Sequence, residues 1–185
     1  MEQETLLRKI GAALEGLGIP YLITGGLAVT VWGRPRFTAD IDIVVEIAPE
    51  KADALVRSLQ ALGADVVVDS ESVAEAVRTQ GEFNVVDSAS GLKVDFWMLR
   101  DEPFDRERMR RRVQRRVGDQ TLSFISPEDL ILIKLRWHQE SGSTRHLEDI
   151  ESVVRIQRTL DRDYLKRWAL QQSTWETLAA LLEKE

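Results

Sequence analysis

The chain has no cysteine, only two histidines, five prolines and 6% aromatic residues among its 185 positions. Without cysteine there are no disulfides, thiolate nucleophiles or thiolate metal sites. His138 and His146 alone do not make a His-rich zinc site. Long apolar runs are also missing. The longest mostly apolar stretch, Tyr21 to Trp32, is too short for a bilayer and is interrupted by Gly25-Gly26. The N-terminal MEQETLLRKI is charged and lacks the apolar run of a signal peptide. These absences predict a soluble protein of a reducing compartment, the cytoplasm, with no membrane partner. An excess of positive charge is absent too: 25 Lys+Arg stand against 31 Asp+Glu, a net charge of −6. That balance argues against a general nucleic-acid coat, although Arg106 to Arg116 holds a dense local run of arginines.

What is present is enough for one domain with a small appendage. A chain of this length buries about 70% of its unfolded surface, so its core needs no staples. Apolar residues at Leu6, Ile10, Ala13, Leu14 and Leu17 predict a first helix, stopped by Gly18 and Pro20. Tyr21 to Ile23 reads as a buried strand, Leu27 to Trp32 as a helix and Ile41 to Glu46 as a β-branched strand. A helix over 52–62 and a strand at Val66 to Val68 follow. Phe83–Val86 pairs with Leu92–Trp97, and Arg112–Val117 with Thr121–Ile125. From Ser126 onward the chain is helical, over roughly 127–138, 145–157, 161–171 and 174–183. The expected fold is therefore α/β (α+β): a mixed twisted sheet flanked by helices over 1–125, with a C-terminal helical segment, 126–185, packed on it.

The most informative stretch is Thr24-Gly25-Gly26 followed by Asp40-Ile41-Asp42-Ile43. Strand alternation puts Asp40 and Asp42 on one face and Ile41 and Ile43 in the core, with the two Asp Cα atoms about 6.5–7 Å apart. Two close carboxylates repel unless a cation lies between them, and an all-oxygen set suits Mg²⁺. A solvated strand face carries the same D-x-D pattern, so the neighbours decide. Gly25-Gly26, between a strand and a helix, lets backbone approach a phosphate at a helix N-terminus; a plain tight turn has the same sequence. In Lys93-Val94-Asp95-Phe96-Trp97, Asp95 lies opposite the apolar face of its strand and needs a partner. Asp87 abuts a turn and is the weaker candidate.

Taken together, Gly25-Gly26, Arg36-Phe37-Thr38-Ala39-Asp40-Ile41-Asp42, Asp95, and Ser126-Pro127-Glu128-Asp129-Leu130-Ile131 with Lys134 resemble the polymerase β-like nucleotidyltransferase superfamily. Within it the chain is similar to small bacterial nucleotidyltransferases, including abortive-infection toxins of the AbiEii type. The resemblance implies a nucleotidyltransferase fold and transfer of a nucleoside monophosphate from an NTP, releasing pyrophosphate. It implies that Asp40, Asp42 and Asp95 hold two Mg²⁺ ions, with Asp95 also the base toward the acceptor. It implies that Gly25 and Gly26 cradle phosphates, with Arg36, Thr38 and Lys134 at the nucleotide. The implied acceptor is tRNA or a protein, with a possible antitoxin partner. An antibiotic-type small-molecule acceptor and a non-catalytic binding module are the rivals.

Helix geometry independently places Lys134 between Leu130, Trp137 and His138, where a cation must snorkel or meet an anion. Arg145 and Asp149, four apart, are expected to form an exposed pair. Trp137, Trp168 and Trp175 are expected to pack between helices. The Arg run reads as phosphate contacts, a site for an acidic partner, or a solvated strand edge.

Overall fold

The computed structural model describes residues 2–183, so residues 1 and 184–185 of the two expected segments lie outside the described residues. The first helix, α1 (Gln3–Gly16), buries Leu6, Leu7, Ile10 and Leu14 along one stripe. It is followed by β1 (Tyr21–Thr24), α2 (Gly25–Trp32) and β2 (Asp40–Val45). After a 3-10 turn come α3 (Ala52–Gln60), β3 (Val66–Val68), α4 (Ser70–Thr79), β4 (Glu82–Asp87), β5 (Leu92–Met98) and α5 (Pro103–Arg110). The chain then runs through β6 (Val113–Val117) and β7 (Gln120–Phe124). Four helices close it: α6 (Pro127–Ser141), α7 (Thr144–Ile156), α8 (Arg162–Gln171) and α9 (Trp175–Leu182).

The seven strands form one mixed sheet in the order β3-β4-β5-β2-β1-β7-β6. β2 lies between antiparallel β1 and parallel β5, so the Asp-bearing strands are neighbours at the centre of the sheet. Alternation sends Ile23, Ile41, Ile43, Val85, Val94 and Phe96 to one face, where all are buried. On that side Gly11 of α1 lies over Leu122 and the Tyr21 hydroxyl, and α3 and α4 pack on β3 and β4. The opposite face carries Asp40, Asp42, Lys93, Asp95 and Trp97. Helices α2, α6 and α7 pack together on this side through Val29, Leu130, Ile131, Ile150 and Val153. Toward β3 this face is open, and Val67 is 59% exposed.

Two helices lie where the periodicity reading places none. α4 is capped by Asp69, whose carboxylate accepts from the backbone N–H groups of Glu71 and Ser72. α5 begins with Pro103 in its first turn and takes in three of the seven arginines of the Arg run. That run does not form one basic stripe. Arg108 pairs with Asp105, Arg110 with Glu107 and Arg111 with Glu128, while Arg106 contacts Asp101. The remainder lies on or beside β6, at the sheet edge, where Arg115 stacks over Trp32 at 4.4 Å.

α6 starts on a capped turn: Ser126 Oγ accepts from the Asp129 N–H, with Pro127 in the first turn. Beyond capping, Asp129 is fully buried and accepts hydrogen bonds from Ser126 Oγ (2.7 Å) and Tyr164 OH (2.5 Å), tying α6 to α8. No helix among the described residues is long and apolar enough to cross a membrane.

Candidate active site

The site is assembled by strand register. Asp42 of β2 is directly opposite Asp95 of β5 on one side and Thr24 of β1 on the other. Asp40 is opposite Lys93 and is exposed at the start of its strand. The pleat therefore points Asp40, Asp42 and Asp95 to one face, as alternation predicts. Burial, and next the charge of Asp95, push the Asp42 carboxyl above the ordinary carboxylate range, against the pull of Lys134 and the Trp97 indole. Asp42 is thus a carboxylate held short of positive charge.

The glycine turn has a definite steric reason. Gly25 has φ +64°, and a Cβ there would lie 2.6 Å from Cγ of Asp42. A Cβ on Gly26 would lie 2.7 Å from Cβ of Thr38. The two glycines, the first residues of α2, make room for the Asp42 carboxylate and the Thr38 side chain, and the cap residue Thr24 gives no side-chain hydrogen bond. Gly25→Ala combines a left-handed backbone with that clash. It is expected to cost about 1–3 kcal/mol and to displace Asp42; a thermal melt within 2 °C of the parent, about 0.5–1 kcal/mol, would contradict this.

Of the two outcomes its place on the helix allows, Lys134 meets an anion rather than snorkelling, and the anion is Asp149. Lys134 Nζ lies 2.7 Å from Asp149 Oδ2, with both residues 3% exposed. Arg36 completes the cluster as a fork, its Nε 2.7 Å and Nη2 2.8 Å from the two Asp149 oxygens. The expected exposed Arg145–Asp149 pair does not form: Asp149 faces inward and Arg145 outward. Spacing of four made the pair possible, but α7 packs its Asp149 side against α6, so burial decides. The carboxyl of Asp149 would rise on burial, yet hydrogen bonds from Arg36 and Lys134 outweigh this and hold it below the ordinary range. Two cations share one anion, and both act electrostatically on Asp42. One surplus positive charge thus stands beside the carboxylate face.

Thr38 Oγ1 reaches the Asp40 carbonyl at 3.5 Å, at the outer limit of a hydrogen bond. Lys93 Nζ lies 2.8 Å from Asp95 Oδ1. Among the described residues no group of three or more His, Cys, Asp or Glu side chains is gathered closely enough to hold a metal ion. The donor set nevertheless fits a hard divalent cation. It is all carboxylate, Asp42 is raised by burial and then by Asp95 beside it, and the neutralising Lys93 is 46% exposed at its side chain. Asp87, the weaker candidate, is buried on the other face, where Ser90 Oγ donates to it at 2.5 Å. The sequence reading missed Asp149; a carboxylate in line with the buried stripe Ile150, Val153 and Val154 was its available signal.

The central sheet with carboxylates on neighbouring β2 and β5, a glycine turn into α2 and helices over the same face define a polymerase β-like nucleotidyltransferase. Residues 6–180 match the family described as "Nucleotidyl transferase AbiEii toxin, Type IV TA system", and the chain belongs to that family. No curated protein sequence matches it. Among solved structures, it is similar to the antibiotic-resistance factor ANT(2'')-Ia in solution (TM-score 0.61, 17% identity, 99% of this chain and 98% of that one). The crystal structure of ANT(2'')-Ia in complex with adenylyl-2''-tobramycin also matches (TM-score 0.61, 17% identity, 92% and 97%). Lincomycin-bound LnuA, a lincosamide antibiotic adenylyltransferase, matches with TM-score 0.55 and 15% identity over 85% of this chain and 99% of that one. At these identities the structures share the fold. The family makes the chain a nucleotidyltransferase enzyme.

Proposed function

We propose that the chain transfers a nucleoside monophosphate from an NTP to a macromolecular acceptor, tRNA or protein, as the toxin of a cytoplasmic toxin–antitoxin pair. The observation that carries the transfer reading is the direct opposition of Asp42 and Asp95 beside the Gly25-Gly26 turn. Asp40, Asp42 and Asp95 would hold Mg²⁺, two ions in this reading, which when bound supply neutralising charge to the triphosphate and the departing pyrophosphate. Backbone N–H groups at the start of α2 receive phosphate oxygens. The surplus charge of Lys134 and Arg36 over Asp149 orients the triphosphate, and Thr38 supports the Asp40 loop. Asp95 accepts the acceptor hydroxyl proton once Lys93 moves aside. The acceptor oxygen bonds to the α-phosphorus, and the bond from that phosphorus to the bridging oxygen breaks with pyrophosphate leaving. The helical segment from residue 126 onward closes the cleft.

The toxin role is suggested by the family description. A small-molecule acceptor is the second reading, favoured by one observation: at least four arginines of the 106–116 run contact carboxylates, which removes them from a nucleic-acid stripe. Small molecules are what the similar structures hold: adenylyl-2''-tobramycin in ANT(2'')-Ia and lincomycin in the lincosamide antibiotic adenylyltransferase LnuA. The test supplies each α-labelled NTP with Mg²⁺ to a cell extract and separates RNA, protein and small molecules. Label in RNA or protein with the intact chain, and none with an Asp40→Asn, Asp42→Asn double variant, is expected. Label confined to small molecules moves the assignment to the second reading, and no label from folded protein would contradict both.

A further inference from the structure

Beside the carboxylate face a cleft of about 570 Å³ opens between β5, α5 and α6. Its walls include Thr24 and Val44, Trp97 and Trp137, and the pair Asp105 and Arg108. Thr24 is the register partner of Asp42, so the cleft begins one strand from the proposed reacting centre. Trp137, expected only to pack between helices, is part of its wall.

One buried polar group on this wall has no hydrogen-bond partner, and the buried ion pair beside it is poorly aligned. Thr24 is 1% exposed, and its Oγ1 has no hydrogen-bond partner. Asp105 and Arg108 are 3% and 7% exposed. Their Oδ1 and Nε atoms lie 2.9 Å apart as an ion pair, yet neither atom completes a directed hydrogen bond. A guanidinium carries five N–H donors, and Asp105 is the one carboxylate in ion-pair contact with this one among the described residues. Unmade donors and acceptors in a dry setting are costly, and a group left so beside a cleft calls for a ligand.

The chemistry of that ligand follows from the wall. The buried pair offers donors and an acceptor side by side with no net charge, which suits a neutral group presenting both more than a polyanion or polycation. Trp97, 41% exposed, and Trp137 offer flat aromatic surface. A planar heterocycle with an amino group beside a ring acceptor meets both requirements.

We propose that this cleft holds the base of the transferred nucleotide, with Asp105 accepting from an exocyclic amino group and Arg108 donating to the adjacent ring nitrogen. On the Watson–Crick edge adenine and cytosine present that pair, whereas guanine and uracil present a carbonyl beside a ring N–H. The inference rests on the nucleotide-transfer reading above and adds the residues that choose the nucleotide.

The test measures equilibrium binding of ATP, CTP, GTP, UTP and inorganic tripolyphosphate in Mg²⁺ to the full chain. ATP or CTP is expected to bind at least tenfold more tightly than UTP. Asp105→Asn can present either an oxygen or an amide N–H, so its preference over UTP is expected to fall below threefold with tripolyphosphate binding unchanged. Because that variant loses a buried charge and can fail to fold, Arg108→Lys, which keeps the pair's charge but not the planar donor fork, gives a second reading. Tenfold weaker binding of ATP or CTP with tripolyphosphate within twofold is expected. Equal binding of all four NTPs, or an unaltered preference in folded Asp105→Asn, overturns the base pocket and leaves the transfer reading standing. So does unchanged NTP binding with slowed transfer, which would make the cleft an acceptor site. Failure of every NTP and of tripolyphosphate to bind overturns both.

Discussion

Asp42→Asn is expected to lose nucleotide transfer by about a thousandfold or more, roughly 4 kcal/mol of transition-state stabilisation, while melting at the parent's temperature or above it. The two halves of this result have one cause. In the protein without cation, Asp42 is buried beside Asp95, and its carboxyl is raised above the ordinary range by burial and then by that neighbour. A raised carboxyl binds its proton more tightly folded than unfolded. Stability from this group is therefore greatest in acid and falls as pH rises from about 4, the unfolded aspartate value, through the folded one. Asparagine keeps the shape and never ionises, so the variant is spared that loss at pH 7. Near pH 3 both proteins carry a neutral side chain and their melts are expected to converge. The charge that weakens the empty fold is the one needed to draw a cation into it. Melts in a chelator at both pH values, with transfer assays alongside, measure the two effects separately. A variant that melts several degrees lower at pH 7, or that keeps transfer, contradicts the argument.

Asp149→Ala is expected to be the most destabilising single change near the site. It removes the one carboxylate shared by Lys134 and Arg36 and leaves the Lys134 ammonium buried without its counter-ion. Breaking a buried pair in this way costs about 3–5 kcal/mol. For a chain of this size that is a fall of roughly 6–20 °C in Tm. Arg145→Ala, on the outward side of the same helix, is expected to stay within about 0.5 kcal/mol. The pH dependence has the opposite sign to that of Asp42. Asp149 is held below its ordinary value, so its contribution is present above about pH 4, the unfolded aspartate value, and disappears as pH falls through the folded value. Asp149→Ala should therefore flatten the acid limb of the stability profile. Equal melts for Asp149→Ala and Arg145→Ala would mean that the cluster adds nothing to the fold.

These two residues also mark what the sequence could and could not disclose. The period-two pattern of Asp40-Ile41-Asp42-Ile43 and of Val94-Asp95-Phe96 is a local property, and the sheet keeps it: apolar residues lie in the core and carboxylates on the other face. Which strands are neighbours is non-local. The parallel register that sets Asp42 against Asp95 depends on a crossover through α3, β3, α4 and β4, and α4 had no place in the periodicity reading. Helix period alone set Lys134 between Leu130, Trp137 and His138, where it had either to snorkel or to meet an anion. Its partner could not be chosen, since a carboxylate on α7 is as available to Arg145 by spacing as to Lys134 by packing. The Arg run was legible as charge but not as structure, because the carboxylates that pair with it include Glu128, brought in by tertiary packing. Asp105 and Arg108 were hidden inside that run.

The most direct measurement of the central claim compares α-labelled with γ-labelled NTP, in Mg²⁺ and in chelator, for the intact chain and for Asp42→Asn. Nucleotidyl transfer requires α-label to enter the acceptor and γ-label to leave as pyrophosphate, in Mg²⁺ and with the intact chain only. γ-Label on the acceptor, or α-label transferred equally by folded Asp42→Asn, would contradict it.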